Sequence, residues 1–517
     1  MYVWKPGLKM ADSPRKSSLC KRWREPGYRT RLVPTLYLLV AYIALGFIIA
    51  QRGSAFLDIQ LITNTSLESA SFFFTASAVG SVVGALVFGG LYDKFNRNLL
   101  LYLTVLGMSA TVVIIPYCTA YEAMLVAWFC NTFFTGGLDA SASADVVRMW
   151  GLESQPYLFL VNLGFSVGAF LAPLLTEPFL VPRDLVESVL NNTQVECIEN
   201  VVNISTSNYS RKALFGEEQF YESGRNFSLN SSICNNSTES PDLNIRLYHA
   251  YTISAVLALV ASLPLLFQTC RNRQSTKIEK SSTGYKDVRE LPMRHYIVAI
   301  IIVISTFVFN STIEDAYASF LMTFAVKQLN WSKTQGAQLS SVYFGMYVIV
   351  RAVGFFCADV LSPTLLLLGS LLALVLTIAG ITLSSIYSAL IGVWIFTGIC
   401  GFLMGILFPV AIAWINKTII SVSGKISSFM LLGSAVGKFC NPIVLGYFME
   451  EFSPLWFCYI SLIEAGLSVA IVVMASIYGR EILAKVRRRN TEIVITVDEK
   501  TLDELSLNGA PTTSEMT

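Results

Sequence analysis

The sequence predicts an all-α membrane protein in which twelve transmembrane helices form two six-helix repeats. Three observations support this fold class: the composition, the number of long apolar runs, and a motif that recurs six runs later. The chain has 517 residues, of which 54% are hydrophobic and 14% are charged. Soluble domains are about one quarter charged, so this composition is typical of a polytopic membrane protein.

Twelve apolar runs are long enough to cross a bilayer. A helix needs about 20 mostly apolar residues to span the hydrocarbon core, where backbone groups can be satisfied only within the helix. The predicted spans are 32–51, 70–92, 98–117, 122–144, 157–180, 247–270, 296–321, 337–359, 363–384, 388–413, 426–448 and 454–478.

These spans divide the chain into two bundles and three longer connecting or terminal segments. We expect a cytoplasmic N-terminal tail at 1–31 and a first six-helix bundle at 32–270, which includes an extracellular loop at 181–246. A cytoplasmic central loop at 271–295 leads to a second bundle at 296–479, followed by a polar, disordered cytoplasmic tail at 480–517.

Basic residues predict the orientation. Nine Lys and Arg precede the first span and seven lie at 271–295, whereas the short loops on the opposite side hold only Arg52, Lys327 and Lys333. Because basic residues are enriched on the cytoplasmic side, both termini are predicted to be cytoplasmic. We expect a monomer in the plasma membrane.

Several function classes are disfavoured. Two histidines, and ten cysteines without a CxxC spacing, leave little material for a metal site. The sequence shows no nucleophile–base set and no phosphate-binding loop, so we expect no enzyme, metal or cofactor apart from a transported Na⁺ or H⁺. A net charge of +2 gives no indication of nucleic-acid binding. The expected partners are a small-molecule substrate and the lipid bilayer.

The loop at 181–246 carries its own evidence of sidedness. Seven N-x-S/T sequons lie in it, at Asn191, Asn203, Asn208, Asn226, Asn230, Asn235 and Asn236. Glycans are added only on the lumenal side, so the loop is predicted to lie outside and to be glycosylated. Cys197 and Cys234 are expected to form a disulfide bond in this oxidising compartment.

A motif in the fifth span recurs in the eleventh. Gly164, Val167, Gly168, Phe170 and Pro173 match Gly433, Val436, Gly437, Phe439 and Pro442 in register. Small residues at such spacing pack helices together, but packing alone does not explain the register of Phe and Pro. Parallel six-helix repeats are the architecture of the major facilitator carriers, whose substrate site lies near mid-membrane between the two halves.

The loop after the second span resembles the major facilitator signature G-x-x-x-D-[RK]-x-G-[RK]. Its matching residues are Gly89, Asp93, Lys94 and Arg97, while Asn96 replaces the second glycine. In that family the signature latches one conformation, and we expect Arg97 to pair with Asp145 in the outward-open state.

Ionisable side chains fall inside the predicted spans. Such groups are costly at bilayer depth, so each is a functional hypothesis. They are Asp139, His249, Glu314, Asp315, Arg351, Lys438 and Glu464. We expect Lys438 and Glu464 to form a buried ion pair between the last two spans, because an unpaired lysine there would be costly.

Three stretches resemble the sodium-dependent glucose transporter-like branch of the major facilitators, which is related to fucose:proton symporters. They are Asp139 with Trp150–Gly151 and Gly168–Leu175, Glu314 with Ala316–Tyr317 and Phe324–Val326, and Phe344–Gly345 with Arg351. Ser141 and Ser143 stand where that branch is expected to have Gly and Asn, and Phe159 and Asn162 where it is expected to have Gln and His. The resemblance therefore supports family membership better than it supports a substrate.

The resemblance implies a secondary active transporter that carries a small polar solute, such as glucose, coupled to Na⁺ or H⁺. The expected substrate-binding residues are Asp139, Asn162, Glu314, Tyr317 and Arg351, and Asp139 or Glu314 would couple the cation. Two alternatives remain open at this point. One is an organic-anion carrier that uses Arg351 or Lys438, and the other is a membrane sensor that does not transport.

Overall fold

A computed structural model describes residues 26–92, 94–151, 154–182, 246–271, 292–357, 362–420 and 424–483. Within these ranges lie twelve long α-helices. They are α1 (Pro26–Thr63), α2 (Leu67–Tyr92), α3 (Arg97–Ile114), α4 (Tyr121–Trp150), α5 (Ser154–Thr176), α6 (Leu247–Arg271), α7 (Met293–Gln328), α8 (Lys333–Cys357), α9 (Pro363–Ile386), α10 (Leu390–Trp414), α11 (Gly424–Glu451) and α12 (Trp456–Tyr478). The predicted number and order of helices agree with those observed in the described part.

Ten of the described helices are long and apolar enough to cross a membrane by length and composition alone. The other two, α4 and α8, carry more polar residues along their length. Among these are Asn131 and Asp139 on α4, and Arg351 on α8.

The first helix of each half is longer than predicted. Helices α1 and α7 contain 38 and 36 residues, whereas the predicted spans were 32–51 and 296–321. The prediction that Arg52 lies in an outside loop is therefore wrong, because α1 continues to Thr63 and buries this side chain. Each long helix is followed by an asparagine in the left-handed conformation, Asn64 (φ 48°) and Asn330 (φ 55°).

The helices of the two halves pack in equivalent pairs. In the first half α1 packs on α5, α2 on α4, and α3 on α6. In the second half the corresponding pairs are α7 with α11, α8 with α10, and α9 with α12. The two halves therefore repeat one arrangement, as the recurring motif predicted.

The recurring glycines explain part of this arrangement. A Cβ on Gly164 of α5 would lie 2.7 Å from the carbonyl oxygen of Leu39 on α1, and one on Gly433 of α11 would lie 2.5 Å from that of Ile304 on α7. Only glycine permits such a close approach of two helix backbones.

Contacts between the halves run along α2 with α11 and along α5 with α8, with α1 touching α7. We call the end that holds residues 64–66, where α1 passes into α2, the outer end, following the predicted orientation. The opposite end is called the inner end.

The halves meet in the outer part and the middle of the molecule. Near the outer end a Cβ on Gly446 of α11 would overlap Ser71 of α2, and the hydroxyl of Thr75 donates to the carbonyl of Phe439 at 3.2 Å. Near the inner end, by contrast, Cβ atoms on Gly89 and Gly90 would have no neighbour within 4 Å. On α2, Ser71 and Thr75 thus contact α11, whereas Gly89 and Gly90 meet no neighbouring helix.

Candidate functional site

Helices α7 and α8 bring three predicted site residues together near the middle of the molecule, with one tyrosine that was not predicted. Glu314 and Tyr317 lie on α7, and Tyr347 and Arg351 lie on α8. The negative charge of Glu314 acts on Tyr347, and the guanidinium of Arg351 lies 5.0 Å from the centre of the Tyr347 ring. A carboxylate, an aromatic face and a guanidinium are therefore neighbours.

Arg351 connects the two halves. Its guanidinium donates to the backbone carbonyl of Asn162 at 3.1 Å and to the hydroxyl of Ser166 at 2.8 Å, both on α5. The side-chain amide of Asn162 donates to the carbonyl of Leu158 on its own helix at 2.9 Å. In this state Arg351 therefore meets the backbone of Asn162 rather than its amide.

Tyr317 lies behind this cluster. Its side chain is 1% exposed, and its ring stacks on that of Tyr343 with 5.6 Å between the ring centroids. Its buried hydroxyl lies beside the thiol of Cys400 on α10. Tyr347 on α8 is 2% exposed, so both rings are buried in this conformation.

Asp139 lies on the other half, on α4. Its carboxylate accepts a hydrogen bond of 2.7 Å from the hydroxyl of Tyr42 on α1, which also lies 3.3 Å from the hydroxyl of Ser143. Asp139 itself is exposed, so an ion or a polar solute can reach its carboxylate.

Arg52 is a charged residue of this region that the sequence analysis placed outside the membrane. It is 8% exposed, its Nη2 lies 3.5 Å from the side-chain oxygen of Asn131, and its Nε has no partner. Its charge interacts with that of Asp315 on α7. The sequence does contain a sign that the first helix extends past Arg52, because apolar residues continue beyond Gln51.

The predicted ion pair between Lys438 and Glu464 is not formed. Among the described residues, ion pairs within 4 Å join only Lys327 to Glu450 and Lys333 to Asp58. Lys438 is exposed and its charge acts on Asp315.

The helix packing gives the reason. Consecutive helices α11 and α12 contact each other sparsely, because α12 packs mainly on α7 and α9. Glu464 therefore faces Thr312 of α7 instead of the lysine on α11.

The outer end is closed by a buried ion pair between the halves. Asp58 of α1 and Lys333 of α8 form a direct contact, and their side chains are 0% and 8% exposed. The backbone N–H of Val181 donates to the second oxygen of Asp58 at 2.8 Å. Beside the pair, the hydroxyl of Thr334 donates to Glu177 at 2.5 Å.

Aromatic side chains of the two halves also pack together at the outer end. Phe320 of α7 packs against Phe56 of α1, with 5.5 Å between the ring centroids, and against Phe74 of α2 at 5.2 Å. Sequence reasoning missed the ion pair beside them because Lys333 was assigned to a loop and Asp58 lies beyond the predicted end of the first span.

The signature residues lie at the inner end, between α2 and α4. Asp145 accepts a hydrogen bond of 2.5 Å from the hydroxyl of Tyr92, and the guanidinium of Arg97 lies 5.3 Å from the centre of the Tyr92 ring. Arg97 and Asp145 are not in direct contact in this conformation. Their pairing in the outward-open state stays a prediction.

Several predicted features fall outside the described residues. These are Asp93, the Cys197–Cys234 pair and all seven sequons of the loop at 181–246. In the part that is described, no group of three or more His, Cys, Asp or Glu residues could hold a metal ion.

Comparison with known proteins places this geometry in context. No protein-family model matches the chain. The chain is 25% identical over 471 residues to "Sodium-dependent glucose transporter 1" of Homo sapiens, which covers 90% of this chain and 82% of that protein. It is 20% identical over 448 residues to "Major facilitator superfamily domain-containing protein 4A" of Xenopus tropicalis, covering 82% of this chain and 87% of that protein.

Solved structures show the same fold. A bacterial homologue of the human lysosomal transporter Spinster, in an inward-facing and unoccupied conformation, matches with a TM-score of 0.57 at 12% identity and covers 90% of this chain and 98% of that one. The outward conformation of the transporter FucP matches with a TM-score of 0.50 at 15% identity, covering 87% and 100%. The chain has the major facilitator fold and is a multi-pass membrane protein.

Proposed function

We propose that this chain, whose fold is that of the major facilitator transporters, is a secondary active transporter of a small polar solute, with a sugar such as glucose as the first candidate. Transport occurs by alternating access and is coupled to Na⁺ or H⁺. The chain acts as a monomer in the plasma membrane, with both termini in the cytoplasm and without a resident cofactor.

The observation that carries this proposal is the extent of the similarity to the human sodium-dependent glucose transporter. It includes 90% of the chain, so both six-helix halves and the space between them have counterparts in that protein. A shared fold alone would not support a substrate, since one fold serves many functions.

The arrangement of the two halves supports alternating access. The outer end is held by the Asp58–Lys333 pair and by Phe320, while Gly89 and Gly90 at the inner end meet no neighbour. In the predicted orientation this is the inward-facing state. Rocking of one half against the other would break the outer contacts and bring the inner helices together.

The chemistry of the central residues suits a sugar. Sugars are bound by carboxylate, amide and hydroxyl groups, with an aromatic surface against the apolar ring face. Asp139 and Glu314 supply carboxylates from opposite halves, and Asn162, Tyr317 and Arg351 complete the proposed substrate-binding set. The ring of Tyr347, which contacts Arg351, is added to that set as the aromatic surface.

One observation favours the organic-anion carrier as a second candidate. Lys438 is exposed rather than paired with Glu464, and an exposed lysine between the halves can bind a carboxylate. Arg351 favours this candidate less, because its guanidinium already donates to Asn162 and Ser166.

Uptake into proteoliposomes separates the candidates. Labelled glucose and a labelled carboxylate such as lactate are offered under an imposed Na⁺ gradient, an imposed H⁺ gradient, or neither. A sugar symporter accumulates glucose only with a gradient, and an organic-anion carrier accumulates the carboxylate. Uptake of neither above that of empty vesicles, across a wider panel of both classes, would support the sensor and contradict the proposal.

A further inference from the structure

A second group of polar atoms lies away from the central cluster, where α7, α11 and α12 meet. Its members are Thr312 on α7, Asn441 on α11 and Glu464 on α12. Asn441 donates its side-chain N–H to the backbone carbonyl of Thr312 at 2.8 Å, and Glu464 interacts with the side chain of the same threonine. Thr312 therefore links an amide and a carboxylate from two other helices.

Two oxygen atoms in this group are buried without a donor. They are the side-chain oxygen Oδ1 of Asn441 and the carboxylate oxygen Oε2 of Glu464. Asn441 is only 3% exposed. A buried acceptor that lacks a donor is costly, and most such atoms in folded proteins have a partner.

The Thr312 hydroxyl lies between two acceptors. It donates to the backbone carbonyl of Phe309 at 2.8 Å and is also in hydrogen-bond contact with the Glu464 carboxylate. Side-chain oxygens of three chemical types thus belong to residues that contact one another at Thr312, and a single hydroxyl proton serves them. Hydrogen bonding within the group leaves Oδ1 of Asn441 and Oε2 of Glu464 without a donor. Hard cations are bound by this mixture of carboxylate, amide and hydroxyl oxygens.

The local charges leave room for one positive charge. Asp315, one turn beyond Thr312, interacts with the charges of Lys438 and Arg52. Glu464 has no such compensation, since within the described ranges no lysine or arginine lies within 4 Å of its carboxylate. A monovalent cation would neutralise it.

We propose that Thr312, Asn441 and Glu464 form a Na⁺ site between α7, α11 and α12. A proton alone would satisfy Glu464 but would leave the oxygen of Asn441 without a partner, so the set of three oxygens favours a metal cation. The site lies against α7, the helix that also carries Glu314. If the proposed transport function holds, Na⁺ bound there stabilises one arrangement of α7 against α11 and α12 and thereby couples to the solute.

Thermal unfolding of the purified protein tests the site without relying on transport. A ligand that binds only the folded state raises the unfolding midpoint, and the stabilisation grows with the logarithm of one plus the ratio of its concentration to its Kd. The midpoint is measured in NaCl, KCl and choline chloride at constant ionic strength. We expect a rise in Na⁺ alone for the natural protein.

Three variants locate the effect. Glu464→Gln removes the charge with little change in shape and is expected to abolish the Na⁺-dependent rise. Thr312→Val keeps the shape but removes one ligand, and should raise the half-saturating Na⁺ concentration roughly tenfold. Ser468→Ala is the matched control, because Ser468 lies one turn further along α12 and donates to Asn310 instead; it should keep the full rise.

The outcomes are distinguishable from a failure of the transport proposal. A Na⁺ response that is absent in the natural protein, or equal in Glu464→Gln and Thr312→Val, would overturn the site even if Na⁺-driven glucose uptake is observed. A midpoint that depends on pH through Glu464 but not on Na⁺ would assign a proton there and also overturn it. A Na⁺ response that requires Glu464, without any glucose uptake, would keep the site and refute the sugar assignment.

Discussion

Replacing Lys333 by alanine is expected to open the outer end of the protein. In this structure Asp58 is fully buried, and its charge is balanced by Lys333 and by one N–H donor from Val181. The variant Lys333→Ala would leave that carboxylate buried with the single N–H. In the outward-open state the same carboxylate would be exposed to water and would need no partner.

The magnitude follows from this difference between the two states. Removing one partner of a buried pair costs about 3–5 kcal/mol, because an uncompensated charge stays buried. If the cost falls on the inward-facing state alone, the inward-to-outward ratio drops by roughly 100-fold or more. The double variant Asp58→Asn with Lys333→Gln has no charge to bury and should recover most of the inward-facing population.

The chain offers a matched control for the loss of a lysine. Lys327 pairs with Glu450 at 3.6 Å within the second half, and both side chains are about one third exposed, at 31% and 34%. Such a pair contributes about 0–1 kcal/mol. Lys327→Ala should therefore leave the populations unchanged.

Distances between spin labels report the result. Labels at Ser66 and Glu451, exposed positions at the outer ends of the two halves, should give one short distance in the natural protein and in Lys327→Ala. A longer distance should dominate in Lys333→Ala. An unchanged short distance in Lys333→Ala, in a folded protein, would refute the reasoning that the pair holds the outer end closed.

Two further predictions concern the loop and the helix packing. Residues 181–246 should be glycosylated outside the cell and closed by a Cys197–Cys234 bond, which would stabilise the loop by roughly 3–4 kcal/mol in the chain-entropy model. Glycosidase treatment should increase gel mobility, and mass spectrometry without reduction should find the two linked peptides. Unchanged mobility would contradict the glycosylation, and two free thiols would contradict the disulfide bond. Gly168→Leu should lower the yield of folded protein sharply, because even a Cβ at this position would overlap the backbone of α1. Gly89→Leu should not lower it, because a Cβ there meets no neighbour within 4 Å. Equal yields of the two variants by size-exclusion chromatography would argue against the close packing of α5 on α1.

The sequence predicted the number of helices, their order and the repeat because these follow from local properties. Apolar length sets a span, and identical spacing at Gly164 and Gly433 places both glycines against the first helix of their halves. Neither inference requires knowledge of contacts between distant parts of the chain. The agreement therefore extends to helix order and pairing but not to the ends of individual helices.

The errors concern residues whose environment depends on helices that are distant in the chain. A charged residue such as Arg52 is typical of a loop, but in the folded protein Asn131 on α4 and the charge of Asp315 on α7 lie beside it. The Asp58–Lys333 pair joins residues 275 positions apart, a separation that no periodic pattern reveals. Lys438 and Glu464 lie on consecutive helices, but α12 packs on α7 and so separates them.

Solute counterflow in proteoliposomes tests alternating access most directly. Vesicles that contain the purified protein are loaded with unlabelled glucose at high concentration and diluted into a trace of labelled glucose, with Na⁺ at the same concentration on both sides. A single site that alternates between the two faces should accumulate label transiently above its external concentration, and Glu314→Gln should reduce this overshoot. Label that never exceeds the level in protein-free vesicles, with protein shown to be folded and inserted, would contradict a glucose carrier of this kind.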